Sequence, residues 1–442
     1  MSEFNEAATM HKVYKRLMPL LFVMMFFNYL DRINIGFASL DMNKDLGFSP
    51  AVFGFAASVF FYGYMLLEVP SNLVLHRVGA RRWIARILLT WGAVAAATAF
   101  VFNDWSFYAL RFLLGVMEAG FLPGVAVYLT KWFPTRYRAR AVGGYIIAGS
   151  FSAVLGGPIS TTLMTYANGF LGMKGWQWMF LLEGIPAMIL GVITLRIMTE
   201  RPSDADWLRP DERQWLESTL ETERKALGGD AHYPLLKVAR DIRVWSLACL
   251  FGCALVGIYG LFLWLPQIVK SLGDLSNIEV GFLSAAPPLL GVLGTFLVSR
   301  SSDRSGDRKK HLAFVYGMSA LAIAASAYAP TPVLAYIFLC ITGLFLYAGN
   351  PLFWSLASSF RTGAAGAATI ALINTIAQFG GVIGPWTIGL VRGATGNFKF
   401  ALLTISAFLV VSTIIALSMR VQPSATEERD LLGGARPGTS DA

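Results

Sequence analysis

The stretch Met18-Pro-Leu-Leu-Phe-Val-Met-Met-Phe-Phe-Asn28-Tyr29-Leu30-Asp31-Arg32-Ile-Asn34-Ile-Gly36 places an acid and a base side by side inside, or at the end of, the first long apolar run of the chain. Ionised side chains are costly in hydrocarbon. Within a membrane span they usually face an interior cavity and mark a path for substrate or protons. The same pair just past a helix end, in water, would have no such meaning. The choice depends on whether the run is a membrane span, and that is decided by the rest of the chain.

The 442 residues are 55% hydrophobic and 14% charged, with a mean hydropathy of +0.56. Soluble chains are roughly 25% charged. Apolar stretches of membrane-span length recur along the whole sequence. Twelve are read, at 18–38, 52–74, 83–102, 106–130, 140–164, 177–198, 244–266, 278–299, 311–329, 332–355, 364–391 and 400–419. The expected fold is therefore an all-α polytopic membrane protein with twelve transmembrane helices in two six-helix halves. Residues 1–198 form the first half, 199–243 a cytoplasmic linker, 244–420 the second half and 421–442 a polar, disordered tail. The linker carries Pro202, Pro210 and Pro234, and its residues 210–226 read as a capped surface helix. Residues 1–17 are polar and no small-residue cleavage site follows the first run, so that span is expected to stay in the mature protein.

Charge supplies the topology. With the N-terminus inside, 29 of the 36 Lys and Arg fall on the inner side. Five fall outside: Lys44, Lys174, Lys270, Arg392 and Lys399. Only Arg32 and Arg111 remain within the membrane. This bias places both termini in the cytoplasm, in the cell inner (plasma) membrane. The net charge of +9 then reflects topology, with anionic lipid as its neighbour, and not nucleic acid. Cys249, Cys253 and Cys340 all lie in expected spans and read as packing residues. His11, His76, His232 and His311 fall in cytoplasmic segments without ligand spacing. No metal, cofactor or enzymatic nucleophile set is expected.

The two halves look related. A short basic turn follows span 2 (Asn72 to Arg82), and another follows span 8 (Ser302 to Lys310). Gly156-Gly157-Pro158 in span 5 is matched by Gly380-Gly381 and Gly384-Pro385 in span 11. Glycine and proline in matching spans of two halves point to a transporter with its site between repeats. Close helix packing explains the same glycines and is compatible with that reading.

A second intramembrane pair lies in span 4. Arg111 and Glu118 are seven residues apart, hence on one helix face, with Gly115 between them permitting close approach. Guanidinium binds carboxylate through paired hydrogen bonds and stays charged. Arg32 is the first choice to hold an organic anion, with Arg111 as a helper or as the tether for an acid. Asp31 and Glu118 suit proton coupling, because a buried carboxyl can keep a proton and a nearby Arg opposes it. Tyr29 shares the face of Arg32, whereas Asp31 lies roughly 100° around the helix and is expected to answer to span 4. Glu68 and Glu183, each close to a proline, read as structural.

Over residues 15–420 the sequence resembles the major facilitator superfamily. The turn after span 8 keeps Asp303-Arg304, whereas the turn after span 2 has His76 where the superfamily usually has Asp. Within the superfamily it resembles the anion–cation symporters. The stretches that carry this are Asn28-Tyr-Leu-Asp31-Arg32-Ile-Asn34-Ile-Gly36, Glu68-Val-Pro70-Ser-Asn72 and Glu118-Ala-Gly120-Phe-Leu-Pro123-Gly124. Trp132-Phe-Pro134 with Arg138 and Arg140, and Asn374 with Gly380-Gly381, also fit.

The resemblance implies proton-coupled symport of a small organic acid such as tartrate or a sugar acid, by a monomer, with sodium the less expected ion. It implies proton sites at Asp31 and Glu118 and a binding tyrosine at Tyr64. Trp354 and Asn374 become candidates for substrate hydroxyls or a second carboxyl, and Ser150 is the polar group that span 5 can offer. The alternatives are an organic-anion exchanger and a permease for aromatic acids such as phthalate or hydroxyphenylacetate. Relatives that exchange phosphate esters carry an arginine in span 7, which Val244 to Pro266 lacks. Two site arginines also disfavour export of cationic drugs.

Overall fold

The computed structural model describes residues 5–226, 238–360 and 363–419. Part of the expected linker (227–237) and the expected tail (421–442) lie outside the described residues. Among the described residues, twelve helices are long and apolar enough to cross a membrane. The first six are α1 (Glu6–Leu46), α2 (Pro50–Val78), α3 (Ala80–Phe100), α4 (Asp104–Thr130), α5 (Thr135–Tyr166) and α6 (Gly175–Ile197). The last six are α7 (Ile242–Lys270), α8 (Asn277–Ser305), α9 (Arg308–Tyr328), α10 (Pro332–Ser359), α11 (Ala368–Thr395) and α12 (Lys399–Ser418).

Helix α1 starts where the Asn5 side chain accepts a bond from the Ala8 N–H, and ends at Gly47 in the left-handed region. Its 41 residues far exceed the 20 or so that span hydrocarbon. Asp31 and Arg32 therefore lie well inside a continuous helix, and they are only 1% and 7% exposed. The alternative that this pair sits past a helix end is ruled out.

Helix α4 is interrupted. It runs helical to Glu118, breaks at Ala119 and Gly120 (φ 88°), and resumes at Phe121. The Ser71 hydroxyl donates to the freed Ala119 carbonyl at 2.6 Å. A Cβ on Gly120 would lie 2.3 Å from that hydroxyl oxygen. In the second half α10 breaks at the matching place, between Leu346 and Gly349. Irregular backbone at membrane depth is tolerated where it is buried in protein or lines a cavity.

Three helix pairs join the halves: α2 with α11, α5 with α8, and α1 with α7. Each relies on a glycine. A Cβ on Gly54 would lie 2.7 Å from the Pro385 carbonyl oxygen, on Gly157 2.5 Å from that of Gly281, and on Gly36 2.7 Å from that of Leu263. All three approaches lie toward the end of the bundle remote from the chain termini, where the Asn277 amide also donates to Asp41 at 2.8 Å. The halves are thus sealed at that end.

At the opposite end the turn that lacks the usual Asp is braced differently. Glu200, just beyond α6, accepts the Ala80 and Arg81 N–H groups at 3.0 and 2.9 Å and the Lys131 ammonium at 2.8 Å. Burial pushes the Glu200 carboxyl up, but these donors outweigh it and hold the group below the usual carboxylate range. The expected surface helix is present as Pro210–Ala226. It is tied to the first half through Lys12–Glu212 (2.6 Å) and through the Thr135 N–H on Glu223 (3.0 Å).

The glycine seams generate a test. Gly54→Val forces a side chain into backbone contact, an overpacking that costs about 1–3 kcal/mol. The conformation sealed at the far end loses that much relative to one opened there. A cysteine replacing Ser150, with the three native cysteines removed, should become more reactive toward an impermeant thiol reagent applied from the side remote from the termini. Unchanged reactivity would show that the Gly54 seam does not control access.

Candidate functional site

A cavity of about 160 Å³ lies between the halves. Its lining from the first half includes Tyr29, Arg32, Phe60, Arg111 and Ser150, and from the second half Tyr259, Phe262, Tyr347 and Asn350. Both intramembrane arginines thus reach one space. The first half brings the charges, and the second brings aromatic rings and an amide.

Arg32 is held by Glu118. Its Nε donates to Glu118 Oε1 at 2.5 Å, and Nη2 lies equally close to the same oxygen. The Asn28 amide, one turn before Arg32, donates to that oxygen at 2.8 Å. Glu118 is fully buried, and among the described residues its Oε2 has no hydrogen-bond partner. The guanidinium is packed among rings, with its Cζ 5.0 Å from the Tyr64 ring centre, 5.5 Å from Phe60 and 5.8 Å from Tyr29. Desolvated cation–π contacts of this kind strengthen the hold on a cation.

Arg111 differs. It is 2% exposed, and among the described residues it has no hydrogen bond or ion pair. Its Nε is buried without a partner, and its Cζ lies 5.0 Å from the Phe60 ring centre. Gly115 does allow the expected close approach, its added Cβ falling 2.0 Å from the Phe60 carbonyl oxygen. The tether expected of Arg111 is made by Arg32 instead. The cation without an acid is Arg111.

Asp31 was expected to answer to α4; the charges of Arg111 and Glu118 do act on it, but its hydrogen bonds run elsewhere. About 100° around the helix from Arg32, it faces α3 and α6. The Trp91 indole N–H donates to its Oδ2 at 2.8 Å. The Asn34 amide donates to its Oδ1 at 3.2 Å and to Glu183 Oε2 at 2.9 Å. The Ser160 hydroxyl closes the chain on Glu183 Oε1 at 2.7 Å. Asp31 and Glu183 are thus two buried carboxyls bridged by one amide, and among the described residues no cation is bonded to either. Glu183, read from sequence as structural, belongs to the same network as Asp31.

Tyr29, Arg32 and Arg111 line the cavity, and Tyr64 packs behind Arg32. Trp354 does not line the cavity. It sits edge-on to Phe251 and Phe353, with ring centres 5.1 Å away in each case. The Asn374 amide points to Glu68 Oε1 at 3.5 Å, bridging α11 and α2. The polar second-half lining that sequence reasoning missed is Tyr259, Tyr347 and Asn350. A signal for the last two existed, since Tyr347-Ala-Gly-Asn350-Pro351 carries polar groups beside glycine and proline inside a span.

The unequal pairing of the arginines makes a prediction. Arg32→Met leaves Glu118 buried without its counter-charge, a loss of roughly 3–5 kcal/mol, so the ligand-free melting temperature should fall. Arg111→Met removes a charge that has no carboxylate partner, so the ligand-free melting temperature should hold or rise. Melting of both purified variants checks this; equal losses would contradict the assignment of Glu118 to Arg32 alone.

Comparison with known proteins gives a consistent result. The Major Facilitator Superfamily pattern matches residues 21–385 and, in a second match, 274–433. A protein of Agrobacterium vitis named "Putative tartrate transporter" is 45% identical over 425 residues, covering 96% of this chain and 94% of its own. A "Quinolone resistance transporter" of Acinetobacter baumannii is 39% identical, covering 90% of this chain and 92% of its own. Among solved structures, a D-xylose-proton symporter has the same fold with a TM-score of 0.74 at 15% identity, covering 91% of this chain and 97% of that one. The twelve helices, the site between the halves and these matches agree, and the chain belongs to the Major Facilitator Superfamily of membrane transporters.

Proposed function

We propose that the protein is a proton-coupled symporter that takes up a small organic anion, such as tartrate or a sugar acid, by alternating access. The observation that carries this is the pair of guanidiniums facing one cavity, Arg32 held by Glu118 and Arg111 held by no acid. A carboxylate entering the cavity meets Arg111 first. To engage Arg32 as well it must take the place of Glu118 Oε1. Glu118 then lies buried without its cation, a position that a carboxyl tolerates once it carries a proton. Binding of the anion and uptake of a proton are linked in this way. Ser150 and Asn350 are placed to bond hydroxyls or a second carboxyl.

Asp31 and Glu183 supply a second proton-holding pair. Two carboxyls sharing one amide, at membrane depth and without a bonded cation, suit a shared proton. On the topology read from the charge bias, with both termini cytoplasmic, the sealed end would face outward and the cavity would be reached from the cell interior. Release of anion and proton would take place from this state. The tartrate wording in the name of the Agrobacterium vitis relative supports the substrate class.

A second reading of the substrate is an aromatic acid. Six aromatic side chains line the cavity: Tyr29, Phe60, Phe61, Tyr259, Phe262 and Tyr347. A quinolone also carries a carboxylate, so the name of the Acinetobacter baumannii relative fits an arginine-based site as well.

The test is uptake by proteoliposomes across a panel of tartrate, galactonate, rhamnonate, phthalate and hydroxyphenylacetate, with and without an imposed inward proton gradient. Accumulation of one class should require the gradient and collapse with a protonophore. Asp31→Asn should abolish accumulation while sparing exchange of labelled for unlabelled substrate. Normal accumulation by Asp31→Asn would remove Asp31 from proton coupling, and wild-type uptake that needs preloaded substrate on the opposite side and ignores the proton gradient would favour an exchanger.

A further inference from the structure

At the sealed end of the bundle a second crevice opens on the seam between the halves. Its walls include Ser39, Asn43 and Lys44 of α1, Gln267 and Lys270 of α7, and Arg392 of α11. Three of the five cations that charge counting placed outside the membrane on the far side, Lys44, Lys270 and Arg392, thus line one crevice contributed by both halves.

No acid lines it. The acids on the adjoining stretch of α1 have other partners: Asp41 accepts from Asn277 at 2.8 Å, and Asp45 from the Trp176 indole at 2.9 Å. Among the described residues none of the three cations is in an ion pair. Arg392 is nevertheless held in place. Its Cζ lies 4.2 Å from the Phe398 ring centre and 5.6 Å from that of Trp264, and Nη1 donates to Gln267 Oε1. Gln267 in turn donates to the Ser39 hydroxyl of the other half at 2.8 Å. Lys270 donates to the Leu275 carbonyl and lies within electrostatic reach of Glu279, outside the crevice wall; the fixed Arg392 guanidinium, with a neutral partner, two flanking lysines and no carboxylate in that wall, suits an anion. Convergent charges of one sign in a cleft focus field lines and raise the local concentration of the opposite ion.

We propose that this crevice is an outer anion subsite that takes a carboxylate of a small organic acid before the central cavity does. A carboxylate there competes with Gln267 Oε1 for Arg392. Displacing Gln267 frees the amide that bonds Ser39, and so loosens the seam on the side from which substrate must enter. The outward sidedness rests on the topology proposed above; the anion site itself does not.

The test uses the full-length protein in nanodiscs of neutral lipid, with the three native cysteines replaced and Ser271, an exposed residue on the crevice wall, changed to cysteine. Labelling rates are compared for an anionic and a cationic methanethiosulfonate, with and without tartrate, malonate or chloride. The anionic reagent should react faster. That preference should fall about tenfold when Lys44, Lys270 and Arg392 are all changed to Gln. Tartrate or malonate should slow labelling at concentrations where chloride does not. Protection should persist in Arg111→Met and be lost in Arg392→Gln, a single change that serves if the triple variant does not fold.

An unaltered reagent preference after neutralisation overturns the proposal. So does equal protection by chloride, which would be charge screening alone. Protection lost in Arg111→Met but kept in Arg392→Gln would assign the effect to the central cavity and overturn it too. Because labelling requires no transport, these outcomes are separate from failure of the symport reading.

Discussion

The arrangement depends on one buried ion pair, Arg32 with Glu118, formed between a continuous helix and a broken one. A pair of this kind contributes little net stability, because desolvating two charges offsets most of their attraction. Removing one partner is costly. The bonded oxygen, Glu118 Oε1, takes both Arg32 nitrogens and Asn28, while Oε2 has none. The pair is therefore firmly oriented yet replaceable by another carboxylate with the same geometry. That combination is what the proposed transport of an anion requires: Glu118 would stand in for the substrate carboxylate while the cavity holds none.

The rest of the bundle maintains the conditions for that exchange. Aromatic rings from α1 and α2 keep water from Arg32, and the break after Glu118 ends its helix where the carboxyl is needed. The second half adds no charge to the cavity. It supplies Tyr259, Tyr347 and Asn350, the last two beside the matching break in α10. On the proposed reading, recognition and coupling belong to the first half, and the second half, which brings no charge to the cavity, shapes and closes the space. Closure needs smooth faces, which is where Gly36, Gly54 and Gly157 bring backbones into contact across the seam. The second carboxyl network, Trp91–Asp31–Asn34–Glu183–Ser160, lies on the other side of α1 and touches none of the arginines through a hydrogen bond.

Much of this was legible in the sequence because membranes impose simple rules. The twelve spans followed from apolar length, and the two intramembrane arginines from charge counting. Residue periodicity put Arg32 beside Tyr29 and Asp31 around the helix from both. What it could not give was which neighbour each face meets. Arg111 and Glu118 share a helix, yet the acid bonds across to α1, because helix-to-helix distance and the packing of Phe60 decide the partner. Asp31 was assigned toward α4 for lack of any signal from Trp91, whose indole N–H is indistinguishable in sequence from a packing residue. Glu183 was read as structural beside a helix break at Pro186; α6 runs helical through both, and the link from Glu183 to Asp31 through Asn34 had no signal in the sequence. Trp354 and Asn374 were chosen by resemblance, and the cavity wall in that half instead falls at Tyr347 and Asn350.

The most direct test of the central claim is the pH dependence of substrate affinity in the purified protein, comparing the wild type with Glu118→Gln. If a proton on Glu118 frees Arg32 for the anion, wild-type affinity rises as pH falls. The Gln variant should then bind at least as tightly near neutral pH, with that dependence much reduced. An unchanged pH profile in Glu118→Gln, or loss of binding with Arg32 intact, would contradict the competition between Glu118 and the anion.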